Sequence, residues 1–322
     1  MGRLASLSAF ALFLVACGDS GPSGPSSVPG AGSTKGLSAT AAIVLTVASG
    51  ETGEPVPGAT VIVGGAAYET DLAGQVNVVE RASPATLLDI VAPNFLDRQT
   101  IWRSATETRF TLWPRTSAAT GLTEELTLRI VYTYPSPDAI PGAAPLLRLP
   151  LDTSSVLVVV SPEIDADLRA GRAVEDAVAV MNEALAGQIS FQISSAIVGA
   201  VSFEVVIDPD AVASNYAGIL RRRYQGLTIT GCSCAFRTTA DINDSRLLAN
   251  SFGYCFGLND SPDATDLMFS DWWSRSQTNF SLKEKLIMSL MLQRRAGNHF
   301  PDNDREARAV ATAQAFRLRA IP

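Results

Sequence analysis

Residues Ala249 to Met268 read Ala-Asn-Ser-Phe-Gly-Tyr-Cys-Phe-Gly-Leu-Asn-Asp-Ser-Pro-Asp-Ala-Thr-Asp-Leu-Met, and this stretch decides how the rest of the chain is interpreted. Positions four apart lie on one face of a helix, so Asn250 and Tyr254 are predicted to point the same way. Gly257 can end the helix in a sharp turn, which carries Asp260 back toward that face. The spacing therefore predicts an amide, a phenol and a carboxylate gathered beside one helix.

This spacing resembles the signature of the metzincin zinc peptidases, H-E-x-x-H-x-x-G-x-x-H followed by a turn that carries a methionine. The residues that match many bacterial members are Gly253, Gly257, Leu258 and Ser261, and Asp266-Leu267-Met268-Phe269 resembles the methionine turn. The resemblance places the three histidine positions on Asn250, Tyr254 and Asp260, the glutamate position on Ser251, and the methionine on Met268. The other interpretation is an ordinary amphipathic helix over residues 246 to 258.

The residues at the ligand positions cannot do the chemistry that the resemblance implies. In an active enzyme three imidazoles hold zinc, and the glutamate acts as general base toward a metal-bound water. Asparagine and tyrosine are poor zinc ligands, and Ser251 is no base at neutral pH. The chain has one histidine, His299, so a three-histidine site cannot be rebuilt. We therefore predict no catalytic residue, no metal and no cofactor. Asn250, Tyr254 and Asp260 are expected to hydrogen-bond one another instead.

Length and charge exclude some classes of function. The chain has 322 residues, enough for about two domains, and 47% of them are hydrophobic, enough for sizeable cores. The net charge of -7 argues against nucleic acid as a partner, since nucleic-acid binding needs clustered positive charge. The one basic cluster, Arg221-Arg222-Arg223, is interpreted as a solvated surface.

The first residues indicate the compartment. Arg3 precedes an apolar run from Leu4 to Val15 that is short for a membrane span and typical of a signal peptide. Leu14-Val15-Ala16-Cys17 resembles the lipobox of bacterial lipoproteins, which implies lipidation of Cys17 after cleavage. We expect a signal peptide over residues 1–17, a flexible Gly/Ser/Pro tether over 18–38, and a lipid-anchored protein at the outer membrane or cell surface.

Residues 39–115 are predicted to form an all-β sandwich, because short β-rich runs alternate with turn residues. The predicted strands are Ala41 to Ser49, Ala59 to Val63, Gln75 to Glu80, Thr86 to Ala92 and Arg109 to Trp113. Three segments resemble the carboxypeptidase regulatory-like domain, a transthyretin-like sandwich: Gly53 to Val61, Thr70 to Val76 and Ile90 to Phe95. The resemblance implies a spacer or interaction module without catalytic activity.

Residues 120–322 are predicted to form an α/β domain with a mixed sheet and long helices. Predicted strands are Leu126 to Tyr134, Ser155 to Ser161, Ile189 to Ile193, Ser202 to Ile207 and Leu227 to Thr230. Predicted helices are Ala173 to Ala186, 246 to 258, and Ser281 to Arg294. Strand, long helix, strand, motif helix, methionine turn and final helix follow the order of a metzincin catalytic domain, so the resemblance covers about residues 120 to 300.

Cysteines and acidic residues provide further candidate sites. In an oxidising compartment we expect one disulfide, between Cys255 and either Cys232 or Cys234. These thiols with Asp260 form a second conceivable metal site, although their spacing matches no standard zinc motif. The other candidates are the acidic loop Asp260, Asp263, Asp266 and Asp271, interpreted as solvated turn residues rather than a calcium site, and Trp272-Trp273 beside Phe269 and Phe280, interpreted as core or cleft wall.

The sequence thus predicts a cell-envelope lipoprotein with a non-catalytic, metzincin-like binding module for a peptide, protein or glycan. An extended peptide is expected to bind along a strand edge. One alternative is an active peptidase with an atypical site, such as Cys255 with His299 or a thiolate-bound metal. The other alternative is a purely structural surface module. The ligand and the oligomeric state are not predicted by the sequence.

Overall fold

The chain is a mixed α/β protein with several sheets and few helices. The computed structural model describes residues 42–79, 86–133, 142, 144–195, 201–210, 212, 216–271 and 276–305, and the backbone of 314–321. Residues 41–322 form one compact unit. The predicted signal peptide, Cys17, the tether and Trp272-Trp273 lie outside the described residues. No described helix is long and apolar enough to cross a membrane.

Two small sheets lie in the first part of the chain and share one hydrophobic core. One has the order β4-β1-β7 and the other the order β3-β2-β5-β6. The strands are β1 (Ile43–Ser49), β2 (Thr60–Val63), β3 (Ala66–Glu69), β4 (Gln75–Val78), β5 (Thr86–Val91), β6 (Arg98–Trp102) and β7 (Arg109–Leu112). A short pair, β8 (Thr116–Ser117) and β9 (Leu122–Thr123), follows.

Alternating apolar residues create this first core. In β1 the side chains of Leu45 and Val47 are fully buried, and in β5 those of Leu88 and Ile90 are. Trp102, the last residue of β6, is buried with them. The sequence predicted five of these seven strands, within two residues at each end. It did not predict β3 or β6, whose residues lack a clear alternation of apolar and polar types.

A six-stranded mixed sheet forms the second part, in the order β11-β10-β12-β14-β13-β15. The strands are β10 (Ser155–Val160), β11 (Ser190–Ser194), β12 (Ser202–Ile207), β13 (Gly218–Gln225), β14 (Thr228–Phe236) and β15 (Gln314–Ile321). Strands β10, β11, β12 and β14 run parallel, whereas β13 is antiparallel to both β14 and β15. Two helices connect β10 to β11: α2 (Pro162–Asp165) and the long α3 (Leu168–Ala184).

The segment Leu126 to Tyr134 was predicted as a strand, and this prediction is wrong. Residues Glu124–Val131 form a helix, α1. Thr123 caps its first turn by accepting a hydrogen bond from the Leu126 amide, and two glutamates in that turn suit the positive end of the helix dipole. The apolar residues at 126 and 130 are four apart, so they face the core together.

The interpretation of Arg221-Arg222-Arg223 as a solvated surface is also wrong for Arg222. The run lies in β13, where successive side chains point to opposite faces. Arg222 is 2% exposed and donates to the carbonyl of Leu258, just after the motif helix. Arg223 forms an ion pair with Glu204 of β12. Arg221 is exposed, and the side chain of Arg223 is partly exposed.

A buried network of charged and polar groups lies where the two sheet systems meet. Arg294 makes two hydrogen bonds to Asp302, at 2.6 and 2.7 Å, and both side chains have zero exposure. The same guanidinium donates to the hydroxyl and carbonyl oxygens of Thr111 in β7, and it lies 5.0 Å from the ring centroid of Trp113. Arg98 of β6 lies 3.6 Å from Asp304. These contacts connect the segment 294–304 directly to the first core.

Candidate functional site

The motif helix is α4, which spans Ser245–Phe256. Its first turn is capped by Asp244, whose side chain accepts from the Arg246 amide. A second hydrophobic core lies between the six-stranded sheet and the helices of the second part. Every residue from Leu247 to Phe256 is buried, so α4 lies inside this second core rather than on its surface. This burial explains why apolar residues occur all round the helix.

Gly257 ends the helix in a conformation that side chains disfavour, with φ of +131°. A Cβ atom at this position would lie 2.6 Å from the carbonyl oxygen of Leu147. Both the backbone conformation and the close approach therefore require glycine. The turn brings the following residues back along α4, as the spacing predicted.

Asn250 is held by the methionine turn. Its amide nitrogen donates to the carbonyl of Leu267 at 3.1 Å and lies 3.4 Å from the sulfur of Met268. Asn250 is 6% exposed and its neighbour Ser251 is 2% exposed. The first ligand position of the resemblance is thus filled by an amide that binds the protein itself.

Tyr254 and Asp260 hydrogen-bond each other, with the phenol donating to one carboxylate oxygen. Tyr254 is 2% exposed, whereas Asp260 is half-buried. The hydrogen bond expected between these two residues is therefore present. The side-chain amide of Asn250 donates to the methionine turn.

Met268 packs directly against the motif helix at Gly253. A Cβ atom there would lie 2.6 Å from the Met268 sulfur and 3.2 Å from the ring of Phe280. Any larger residue would displace the side chain of Met268 and crowd the ring of Phe280. The glycine recognised in the sequence therefore has a packing role.

Glu284 anchors the methionine turn from the next helix, α5 (Leu282–Leu292). Its two carboxylate oxygens accept from the amides of Leu267 at 3.0 Å and Met268 at 2.7 Å. It also accepts from the Ser281 amide in a capping box at the start of α5. Burial, followed by the charge of Asp266, raises the pKa of Glu284 to about 7.

The acidic loop is not a set of solvated turn residues throughout. Asp266 has zero exposure and accepts from the hydroxyls of Ser261 and Ser281, and Lys283 lies 3.2 Å from it. Lys283 also pairs with Asp263, and that hydrogen bond is the main reason that the pKa of Asp263 falls to about 2. These carboxylates are occupied by donors of the protein, which argues against a calcium site.

Three sulfur atoms lie beside the motif helix. Cys232 of β14 forms a disulfide with Cys255 of α4, one of the two pairings that the sequence allowed. The thiol of Cys234 lies 3.9 Å from the sulfur of Cys255. Among the described residues this is the one group of His, Cys, Asp or Glu with metal-ligand spacing. Two of its sulfurs are bonded to each other and cannot act as thiolates in this state.

The remaining candidates contribute little to this site. Because Cys255 is in the disulfide, it is not available as a thiol nucleophile in this form. The backbone of His299 pairs with that of Asn303 in a turn near the buried network. One cavity, of about 630 Å³, is lined by residues of α3 and the start of α4. Another, of about 440 Å³, is lined by residues of the first sheet system. Asn250, Tyr254 and Asp260 line neither cavity.

Comparison with known proteins adds no relative: the sequence matches no protein-family model and no curated protein.

Proposed function

We propose that this protein is a cell-envelope lipoprotein whose second part is a metzincin-like module without catalytic activity, used to recognise a peptide, protein or glycan. The single observation that carries the proposal is how the ligand positions are filled. Tyr254 binds Asp260, and Asn250 binds the methionine turn. Hydrogen bonds inside the protein thus occupy the side chains that the resemblance assigns to zinc.

The order of elements supports the same proposal. A strand, a long helix and a parallel strand precede the motif helix, and the methionine turn and α5 follow it. Met268 lies against α4 at Gly253, where the resemblance implies a methionine beneath the site. The first two sheets, with their shared core, fit a carboxypeptidase regulatory-like sandwich that spaces this module from the membrane.

Burial of the motif favours a second candidate, a purely structural module. Asn250, Ser251 and Tyr254 are each at most 6% exposed, so a ligand would reach Asp260 more easily than the others. Screening the purified chain on peptide and glycan arrays separates the candidates. A reproducible ligand supports recognition, and no ligand on either array supports the structural module.

Metal content tests the proposal directly. We expect the purified protein, saturated with zinc under non-reducing conditions and dialysed, to retain less than about 0.1 zinc per chain, because its ligand positions lack imidazoles. The matched variant Asn250→His/Tyr254→His/Asp260→His is expected to retain about one zinc per chain, because it restores the donors on the same frame. Elemental analysis measures both values.

Two results would contradict this. Stoichiometric zinc in the natural protein, removed by a chelator together with peptidase activity, would identify an active enzyme. A folded triple variant that fails to bind zinc would show that the three positions do not converge as the metzincin resemblance implies. Circular dichroism establishes whether the variant is folded.

A further inference from the structure

The three buried cysteines are placed so that one of them can pair with either of the others. Cys232 and Cys234 are two residues apart in β14, so they lie on the same face of the strand. Cys255 reaches that face from α4. All three side chains are fully buried, and their sulfurs lie within 4.8 Å of one another.

The second pairing needs only a small movement. The sulfurs of Cys234 and Cys255 are 3.9 Å apart, so they must approach by about 1.9 Å to reach disulfide length. Each sulfur is attached through a single rotatable Cα–Cβ bond, and side-chain rotation supplies movements of this size. Both cysteines of β14 already face the helix, and Cys234 must also swing behind the Cys255 sulfur, because thiolate attack on a disulfide is in line with the bond that breaks.

We infer that these cysteines form a thiol–disulfide exchange centre in which Cys255 is the shared partner. Cys234 loses its proton and its thiolate attacks the sulfur of Cys255. The Cys234–Cys255 bond forms as the Cys232–Cys255 bond breaks, and Cys232 leaves as a thiolate that takes up a proton. One disulfide and one thiol are present before and after, so no oxidant or reductant is consumed.

This inference goes beyond the proposed function, but it concerns the same helix. Either bond joins α4 to β14, and Cys255 directly follows Tyr254. The end of α4 that carries the Tyr254–Asp260 hydrogen bond therefore stays cross-linked in both isomers. A chain that loses Cys232 to oxidation or mutation retains a cross-link at the same place.

Burial explains why exchange is slow once the chain has folded with the Cys232–Cys255 bond. The apolar surroundings, and then the negative charge of Glu204, raise the pKa of Cys234 to about 12. The thiol form is a poor nucleophile, so exchange within the closed core is slow. We expect the second isomer to form while the chain folds or when α4 opens.

Single variants of the full chain, purified without reductant and blocked with N-ethylmaleimide, test the inference. Mass spectrometry of Cys232→Ala is expected to show a Cys234–Cys255 disulfide, with a thermal midpoint near that of the natural protein. Cys234→Ala, the matched control, keeps Cys232–Cys255. Cys255→Ala removes the shared partner, and its midpoint is expected to fall by about 5–10 °C, because no cross-link to α4 remains.

Folded Cys232→Ala with maleimide on both Cys234 and Cys255 would overturn the inference. If that variant does not fold, the natural protein decides. It is equilibrated with a trace of dithiothreitol and labelled, and fragmentation between positions 232 and 234 locates the label. Among chains that carry a single label, label on Cys232 in some and on Cys234 in others supports exchange, and label confined to Cys234 overturns it.

Discussion

Tyr254 and Asp260 form a hydrogen bond, and its contribution to stability can be measured. Tyr254→Phe keeps the ring in the core but removes the donor to a carboxylate. Because hydrogen bonds to charged groups are among the stronger ones, we expect the free energy of unfolding to fall by about 1–3 kcal/mol. Chemical denaturation measures it.

An exposed tyrosine provides the control for this change. Tyr216 is 38% exposed, so Tyr216→Phe is expected to alter stability by less than about 0.5 kcal/mol. Equal stability of the two variants would show that the phenol of Tyr254 contributes nothing through Asp260.

Sequence spacing predicted which residues share a helix face, because helical periodicity is a local property. It placed residues 250 and 254 together and brought Asp260 back to them. It did not reveal that Asn250 bonds to Leu267, since that partner depends on where the methionine turn packs. The choice between Cys232 and Cys234 was likewise open, because both lie on the same face of one strand.

At the level of elements, α5 and the methionine turn are coupled through one buried carboxylate. The pKa of Glu284 is raised to about 7 in the folded chain, against 4.5 for an ordinary glutamate. Between these values the folded state keeps a proton that the unfolded state has released. The contribution of Glu284 to the free energy of unfolding is therefore largest below about pH 4.5. This contribution is lost as the pH rises to about 7.

Glu284→Gln tests this dependence. The natural protein is expected to lose about 3 kcal/mol from this group between pH 4.5 and 7, and the variant to lack that loss. Denaturation at a series of pH values gives the slope of the free energy of unfolding against pH for each protein. The control is Glu183→Gln, which changes an exposed carboxylate of α3 that pairs with Lys285 of α5. This variant should keep the pH dependence of the natural protein. Parallel slopes for all three proteins would contradict the coupling.

Elements whose apolar residues fit only one periodicity were predicted well. Elements whose residues fit both a strand and a helix, or a strand and a solvated run, were not. The apolar residues of α1 at 126, 128 and 130 fit a strand, but those at 126 and 130 also fit a helix, and the cap at Thr123 favours the helix. Strand β13 was missed because three consecutive arginines resemble a solvated run. In the folded sheet, β14 and the motif helix supply the environment that buries Arg222.

At the scale of the whole molecule, the two cores are joined by charges that no local pattern predicts. Arg294 and Asp302 are eight residues apart, yet Arg294 also binds Thr111, 183 residues away in sequence. Burial, followed by the charge of Arg294, lowers the pKa of Arg98 to about 10. The network depends on the packing of both parts, so its members are recognisable only in the folded chain.

Asp302→Asn leaves two buried guanidinium groups with less compensating negative charge. Removing one partner of a buried ion pair typically costs about 3–5 kcal/mol, so we expect a loss of that size in the free energy of unfolding. Chemical denaturation followed by circular dichroism measures this loss. The control is Asp97→Asn, because Asp97 pairs with Arg115 on the surface, where a pair contributes about 0–1 kcal/mol. A loss no larger for Asp302→Asn than for Asp97→Asn would show that the network does not hold the two cores together.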